Sequence, residues 1–226
     1  MEDYLSEKEQ WEWLKTQVRE NTPAVLVALV LAVALVFGWR WWQGHLDAAR
    51  LAAGEKYRQM VQALDAGDRS QALVLLGALE RDSPGSPYTD QARLLAARVH
   101  VDAGELDRAA AELTEVSTHS RDADLALIAR LRLARVEIAE GKPDAALATL
   151  GNAPRGAFAG RFSEVRGDAY YAKGDRAAAL REYRSAQAAG ADPDSQLLTL
   201  KIGDLAADAA AGAAAAPAAA APKSGG

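Results

Sequence analysis

The side chains that most often do chemistry are few and scattered in this sequence. Its three histidines, His45, His100 and His119, do not form the His-Glu-x-x-His pattern that places two metal ligands on one face of a helix. There is no Gly-x-Ser-x-Gly nucleophile motif and no phosphate-binding glycine loop. The chain has no cysteine, which excludes disulfides, thiolate metal sites and cysteine nucleophiles. The sequence therefore predicts no catalytic residue, no metal site and no cofactor, and it predicts that the protein is not an enzyme.

The polar residues that do cluster have structural explanations. Asp102, Glu105 and Asp107 lie close to expected helix ends, where carboxylates cap or solvate the backbone, and a carboxylate pair binding a metal is the other interpretation. His100 occupies a position that Tyr170 fills later in the chain, in the repeat described below, and is expected to be a packing residue.

The composition points to helices and away from nucleic acid. Half of the residues are hydrophobic but only 6% are aromatic, because alanine and leucine, both strong helix formers, make up the excess. The formal net charge is −5, which argues against nucleic acid as a partner.

One long apolar segment predicts a transmembrane helix at residues 23–42, after a short tail at residues 1–22. Ala24–Trp39 contains no charged residue, and about 20 residues of helix span roughly 30 Å, the thickness of a bilayer's hydrocarbon core. A belt at the membrane–water interface is predicted at its end, with three tryptophans and an arginine that reaches the headgroups: Trp39, Arg40, Trp41 and Trp42.

Two other interpretations of this segment fit less well, and its orientation stays open. A cleaved signal peptide begins with basic residues and ends with small ones, whereas this segment follows an acidic tail and ends in tryptophans. A buried helix of a soluble protein would carry some polar residue. Basic residues flank the segment on both sides, so the positive-inside rule does not decide the orientation. They are Lys8, Lys15 and Arg19 before it, and Arg40, Arg50, Lys56 and Arg58 after it.

Four glycines mark an internal repeat in residues 43–205. Gly67, Gly104, Gly141 and Gly174 each lie between two helix-forming segments, at intervals of 37, 37 and 33 residues. A helix, a glycine turn and a second helix repeated about every 34 residues is the tetratricopeptide pattern. The predicted fold is all-α, with a single N-terminal transmembrane helix followed by a tetratricopeptide-like solenoid of helical hairpins. Residues 206–226 form a low-complexity alanine and proline tail that is predicted to be disordered.

The repeat also predicts individual helices and close contacts. A helix is expected to continue from the membrane segment to Ala66, and further helices are expected at 69–81, 87–103, 106–118, 123–140, 143–150, 159–173, 175–189 and 194–207. An alanine five residues after each glycine should let paired helices approach closely: Ala72, Ala109, Ala146 and Ala179. The last copy is the most complete, with Gly167 and Tyr183, where earlier copies have alanine and leucine.

Equivalent positions on the first helix of each hairpin predict a peptide-binding groove. In such solenoids these helices line the concave face, and positions i, i+4 and i+7 share one stripe. Apolar rows beside two arginines would suit an extended peptide. The alternative is that these side chains pack on neighbouring helices. The candidates are Tyr57, Val61, Leu64, Leu94, Arg98, Val101, Leu131, Arg135, Ile138, Asp168 and Tyr171, with Glu164 completing the first row.

With anchor and repeats together, the chain resembles the YfgM-type ancillary subunits of the SecYEG translocon over nearly its whole length. The segments that carry the resemblance are Gly38–Trp42 with His45, Asp47–Arg50, Leu131–Val136, Arg166–Ala169 and Leu200–Leu205. The alanine and proline tail after Leu205 is additional.

The resemblance implies a location, partners and a role. It implies a bacterial inner-membrane protein with a cytoplasmic N-terminus and periplasmic repeats. It implies association with SecYEG and with a membrane-anchored periplasmic chaperone of the prolyl-isomerase type. The implied role is a non-enzymatic, chaperone-like module that receives unfolded secreted or outer-membrane polypeptides. A structural adaptor that assembles an inner-membrane complex without binding substrate is the alternative.

Overall fold

The computed structural model describes residues 11–12, 15–16, 22–152, 154, 156–190 and 196–215. Most of the predicted tail at residues 1–22, and residues 216–226 of the predicted C-terminal tail, lie outside the described residues. The chain divides into two compact units, residues 1–52 and 53–226. The regular structure of the described ranges is helical throughout, so the all-α prediction is confirmed.

The first unit contains most of helix α1, which runs from Thr22 to Asp65. The most apolar stretch of α1, 18 residues long, has a mean hydropathy of 1.6, and none of that stretch is buried. Trp39, Trp41 and Trp42 are all exposed, as is Arg40, and the Trp41 ring stacks on His45 with 6.0 Å between centroids. A helix with so much exposed apolar surface requires lipid or another apolar partner around it.

The second unit begins within α1, and its described residues contain eight further helices. They are α2 (Arg69–Asp82), α3 (Pro87–Asp102), α4 (Leu106–His119), α5 (Ala123–Ala139), α6 (Pro143–Leu150), α7 (Ala159–Ala172), α8 (Arg176–Ala188) and α9 (Gln196–Ala215). The ends of α2 to α8 agree with the predicted ones to within one residue. The last helix differs, because α9 continues to Ala215, beyond the predicted end at residue 207.

The glycine turns connect the two helices of each hairpin as the repeat predicts. At Gly104, with φ of 74°, the amide of Glu105 donates to the carbonyl of His100 and the glycine amide donates to Val101, which satisfies the last carbonyls of α3. Gly174 ends α7 in the same way, with φ of 81°. The next helix then starts at an N-cap, where the Asp175 carboxylate accepts from the amide of Ala178 at 2.9 Å.

Small residues allow close packing within the hairpins. The four alanines after the glycines are completely buried, as the repeat predicts: Ala72, Ala109, Ala146 and Ala179. Gly167 in α7 lies directly under the ring of Tyr183 in α8, so that a methyl group at position 167 would overlap the ring. The first helices of the successive hairpins are α1, α3, α5 and α7. The candidate site lies along these helices.

Candidate functional site

Nine of the eleven predicted groove residues line three cavities on the first helices of the hairpins. The upstream cavity, about 420 Å³, lies between α1 and α3 and includes Tyr57, Val61, Leu64 and Arg98. The middle cavity, about 370 Å³, lies between α3 and α5 and includes Arg98, Val101 and Arg135. The downstream cavity, about 380 Å³, includes Ile138, Asp168 and Tyr171, with residues of α8 and α9.

The other two predicted groove residues, Leu94 and Leu131, do not line any of the three cavities. Both are buried: Leu94 belongs to a hydrophobic cluster that includes Ala129 of α5, and Leu131 belongs to one that includes Phe162 of α7. These leucines belong to the contacts between successive repeats, because burial of an apolar side chain there is more favourable than exposure. At these two positions the side chains pack between repeats, which is the alternative that the sequence left open.

The middle cavity combines an apolar lining with three arginines. The arginines are Arg98 from α3 on one side and Arg132 and Arg135 from α5 on the other. Arg132 is not among the predicted groove residues. Its spacing to Arg135 could have revealed it, because arginines three residues apart share one side of a helix. The apolar residues that line the cavity are Ala97, Val101, Leu106, Leu113, Val136 and Ala139.

The positive charges of the middle cavity are only partly compensated. Burial lowers the pKa of the Arg132 guanidinium, and the charges of Arg135 and Arg98 lower it further. Arg132 lies 3.5 Å from the carbonyl oxygen of Leu94. Arg98 forms a long ion pair with Asp102, 3.8 Å between nitrogen and oxygen, and both side chains are mostly exposed. Among the described residues, no carboxylate lies within ion-pair distance of Arg135.

The downstream cavity differs because its one basic side chain, Lys201, is paired with carboxylates of the protein. The Lys201 ammonium of α9 lies 2.6 Å from the Asp168 carboxylate and 3.5 Å from that of Glu164. Tyr183 donates a hydrogen bond of 2.8 Å to Asp168, and its ring lies under Lys201 at 5.3 Å. Burial and this hydrogen bond raise the pKa of the Tyr183 hydroxyl. The cluster therefore fixes α9 against α7 and α8.

The upstream cavity has an acidic rim and an aromatic wall. Its lining includes the carboxylates of Asp65 and Asp102 together with Arg98. The ring of Tyr57 lies beside that of Tyr88, with 6.0 Å between centroids. A ligand lying along all three cavities would therefore meet acidic, basic and internally paired surfaces in turn.

His100 is a packing residue, as predicted, and it has a polar partner. It is buried, and its Nδ1 lies 2.7 Å from the Glu105 carboxylate, which also pairs with Arg69. The hydrogen bond from His100, with a smaller contribution from Arg69, lowers the pKa of Glu105. Glu105 makes no cap bond to the backbone of α4, so it links two repeats instead of capping a helix. In the part of the chain that the structure describes, no three metal-ligating side chains come together.

The arrangement agrees with two comparisons with known proteins. Residues 15–207 match a family model described as a tetratricopeptide repeat-like domain. The chain is 34% identical to a protein of Escherichia coli K12 named "Ancillary SecYEG translocon subunit", over 91% of this chain and 99% of the relative. It is 28% identical to a protein of the same name from Haemophilus influenzae, over 89% of this chain and 98% of the relative. No solved structure matches the chain.

Proposed function

We propose, from the premise that the chain belongs to the family of ancillary SecYEG translocon subunits, that it holds a polypeptide-binding surface at the translocon. Its tetratricopeptide-like repeats and its apolar N-terminal helix fit a protein-interaction module of the inner membrane associated with the Sec machinery. The proposed role is non-enzymatic and chaperone-like: the repeats bind secreted or outer-membrane polypeptides as they emerge from the channel.

One observation carries this proposal: three cavities follow one another along the first helices of successive hairpins. The three volumes lie between about 370 and 420 Å³, a size that accommodates side chains of an extended chain rather than a folded domain. Val101 and Tyr171 remain 40% and 47% exposed despite being apolar or aromatic. Apolar groups kept open along a groove are typical of surfaces that bind extended peptides.

The membrane anchor makes weak contacts sufficient. A groove tethered beside the channel exit encounters the emerging chain at an effective concentration in the millimolar range. This placement requires a cytoplasmic N-terminus and periplasmic repeats. The second proposed partner is a membrane-anchored chaperone of the prolyl-isomerase type. A reporter fused after Gly226 tests the orientation, because a cytoplasmic reporter would contradict the placement at the channel exit.

Site-specific crosslinking tests the polypeptide-binding surface. A photoreactive residue at Val101 or Tyr171 of the full chain, in its own membrane, should crosslink to a secretory polypeptide arrested in the channel. The matched control is Val74, an exposed valine of α2 that lines none of the three cavities. Equal crosslinking from Val74 and Val101, or none from either groove position, would contradict the proposal.

The exposed apolar surface of α1 favours a second candidate function, a structural adaptor that assembles a membrane complex without binding substrate. In that case the helix and its belt at Trp39, Trp41 and Trp42 make the partner contacts. Exchanging the helix for an unrelated apolar one should then abolish co-purification with SecYEG, whereas Arg135→Glu should leave it unchanged. If Arg135→Glu abolishes the crosslinks from the groove but leaves co-purification intact, the result favours the polypeptide-binding role.

A further inference from the structure

The middle cavity presents positive charge that is only partly compensated, in a protein whose formal net charge is −5. Its three arginines lie on both of its walls, on α3 and on α5. The other two cavities do not share this property. Lys201 in the downstream cavity is paired with Asp168 and Glu164, and the upstream cavity has two carboxylates for its one arginine. The middle cavity therefore differs from its neighbours in the charge that it offers a ligand.

The contacts within the protein do not explain why three guanidinium groups converge there. The pKa of the Arg132 guanidinium is lowered by burial and by the charges of Arg98 and Arg135, so the protein pays free energy to keep these groups together. The long, exposed ion pair between Arg98 and Asp102 offsets little of this cost. An anion placed between the two walls would relieve the repulsion, and a guanidinium pairs well with a carboxylate.

The lining of the cavity adds a second requirement. The rest of the lining is formed by apolar side chains, among them Leu106, Leu113 and Val136. A volume of about 370 Å³ is at the small end of the range for ligand sites, which suits one or two large apolar side chains. An occupant that satisfies both features carries a carboxylate next to a large apolar group.

The position of the cavity indicates that such an occupant continues beyond it. Arg98 lines both the upstream and the middle cavity, so the two cavities adjoin at its side chain. A bound chain can therefore pass from one cavity into the next instead of ending in the middle one. This favours an aspartate or glutamate side chain within an extended segment over a chain-terminal carboxylate.

We propose that the middle cavity is a specificity site for extended polypeptide segments in which an acidic side chain adjoins a large apolar one. The carboxylate lies among Arg98, Arg132 and Arg135, and the apolar side chain packs on the apolar residues that line the cavity. The proposal rests on the polypeptide-binding function proposed above and names the class of segment that the surface selects.

Peptide binding to the full chain in nanodiscs of neutral lipid tests this specificity. The probe is a fluorescein-labelled, amidated glycine–serine peptide with a central Leu-Glu-Leu, compared by anisotropy with versions in which Gln or Lys replaces Glu, or Ser replaces both leucines. The Glu peptide should bind about tenfold more tightly than the Gln peptide. Its affinity should fall as the salt concentration rises, because salt screens the charge interaction. Equal affinity of the Glu and Gln peptides, or no binding of the amidated Glu peptide, would overturn the proposal.

Variants of the cavity place the effect on particular side chains. Arg135→Gln should weaken the Glu peptide by about five- to tenfold, whereas Arg81→Gln, an exposed arginine of α2 outside the cavities, should leave it unchanged. Arg135→Glu should reduce the preference for the Glu peptide and strengthen binding of the Lys peptide relative to the unaltered protein, a gain that misfolding cannot produce. Unchanged selectivity in Arg135→Glu would contradict the assignment.

The two proposals can fail separately. If groove positions crosslink to arrested chains but peptide selectivity for glutamate is absent, the polypeptide-binding function stands and this inference is wrong. If the peptides show the expected selectivity but no arrested chain crosslinks, the cavity recognises acidic segments of another partner and the function at the channel exit is wrong.

Discussion

At the scale of single residues, one pair explains why the last repeat differs from the others. Gly167 of α7 leaves room for the ring of Tyr183 of α8, which is buried and bonded to Asp168. The equivalent positions of the two preceding repeats are an alanine and a leucine, Ala97 with Leu113 and Ala134 with Leu150, and these are buried too. The repeats thus make the same contact in two ways: glycine is paired with a tyrosine ring, or alanine is paired with leucine.

This pairing predicts the outcome of a double substitution. Gly167→Ala should destabilise the protein by about 1–3 kcal/mol, because the new methyl group forces the Tyr183 ring out of its place. In a Tyr183→Leu background, the same change should cost nothing or stabilise slightly, since alanine favours helix over glycine by about 1 kcal/mol. Chemical denaturation of the four proteins of this cycle measures the coupling. Equal costs in both backgrounds would show that the ring is not what excludes alanine.

Which residues face the groove could be predicted only in part. The glycine register places nine of its eleven candidates along the three cavities, because repeats hold equivalent positions in equivalent places, and peptide binding by these residues stays a prediction. It could not separate Leu94 and Leu131 from the groove, because burial between repeats depends on which side chains the next hairpin supplies. Arg132 was missed because it lies off the predicted stripe, although its guanidinium reaches the middle cavity.

At the scale of elements, the turns between helices are built from local chemistry. Asp175 accepts from the amide of Ala178 at the start of α8, and Asp68 does the same for Gln71 at the start of α2. The equivalent residues before α4 and α6, Glu105 and Lys142, make no such bond. The hairpins therefore differ in how much their N-caps contribute to helix stability.

Replacing the cap of α8 tests its contribution. Asp175→Ala should destabilise the protein by about 1 kcal/mol, because the amide of Ala178 loses its acceptor and is left unsatisfied. Asp175→Ser is the matched control, because its hydroxyl can still accept a hydrogen bond from the helix amide, and it should change stability less. Thermal unfolding of the two variants measures the contrast, and an equal loss for Asp175→Ser would contradict the role of the cap.

The helix ends that sequence predicted best are those with such local signals. Glycine, proline and N-cap residues limit α2 to α8, and these helices were predicted to within one residue. The segment after residue 206 has no such boundary and was predicted to be disordered from its low complexity, yet α9 is helical to Ala215. Alanine is the strongest helix former, so an alanine-rich extension continues a helix that packing has already nucleated.

At the scale of the whole molecule, α9 covers the exposed end of the repeat array. A solenoid leaves the apolar face of its last hairpin open unless a terminal element covers it. Leu198 and Leu205 of α9 are buried against Tyr183 and Ala186 of α8, and Lys201 pairs with Asp168 of α7. The same helix contributes to the downstream cavity, so it both closes the array and shapes one end of the groove.

Truncating the chain therefore tests whether α9 is required for the last hairpin. Ending the chain after Gly190 removes the burial of two leucines, worth about 3–6 kcal/mol, and leaves Asp168 without its lysine. Because each repeat contacts only its neighbours, amide protection should fall in α7 and α8 but remain in α3 and α4, as hydrogen exchange can resolve. Ending the chain after Ala215 is the control and should change neither region. Equal loss of protection in α3 and α7 after the longer truncation would mean that the array unfolds as a single unit, and that α9 stabilises the whole of it.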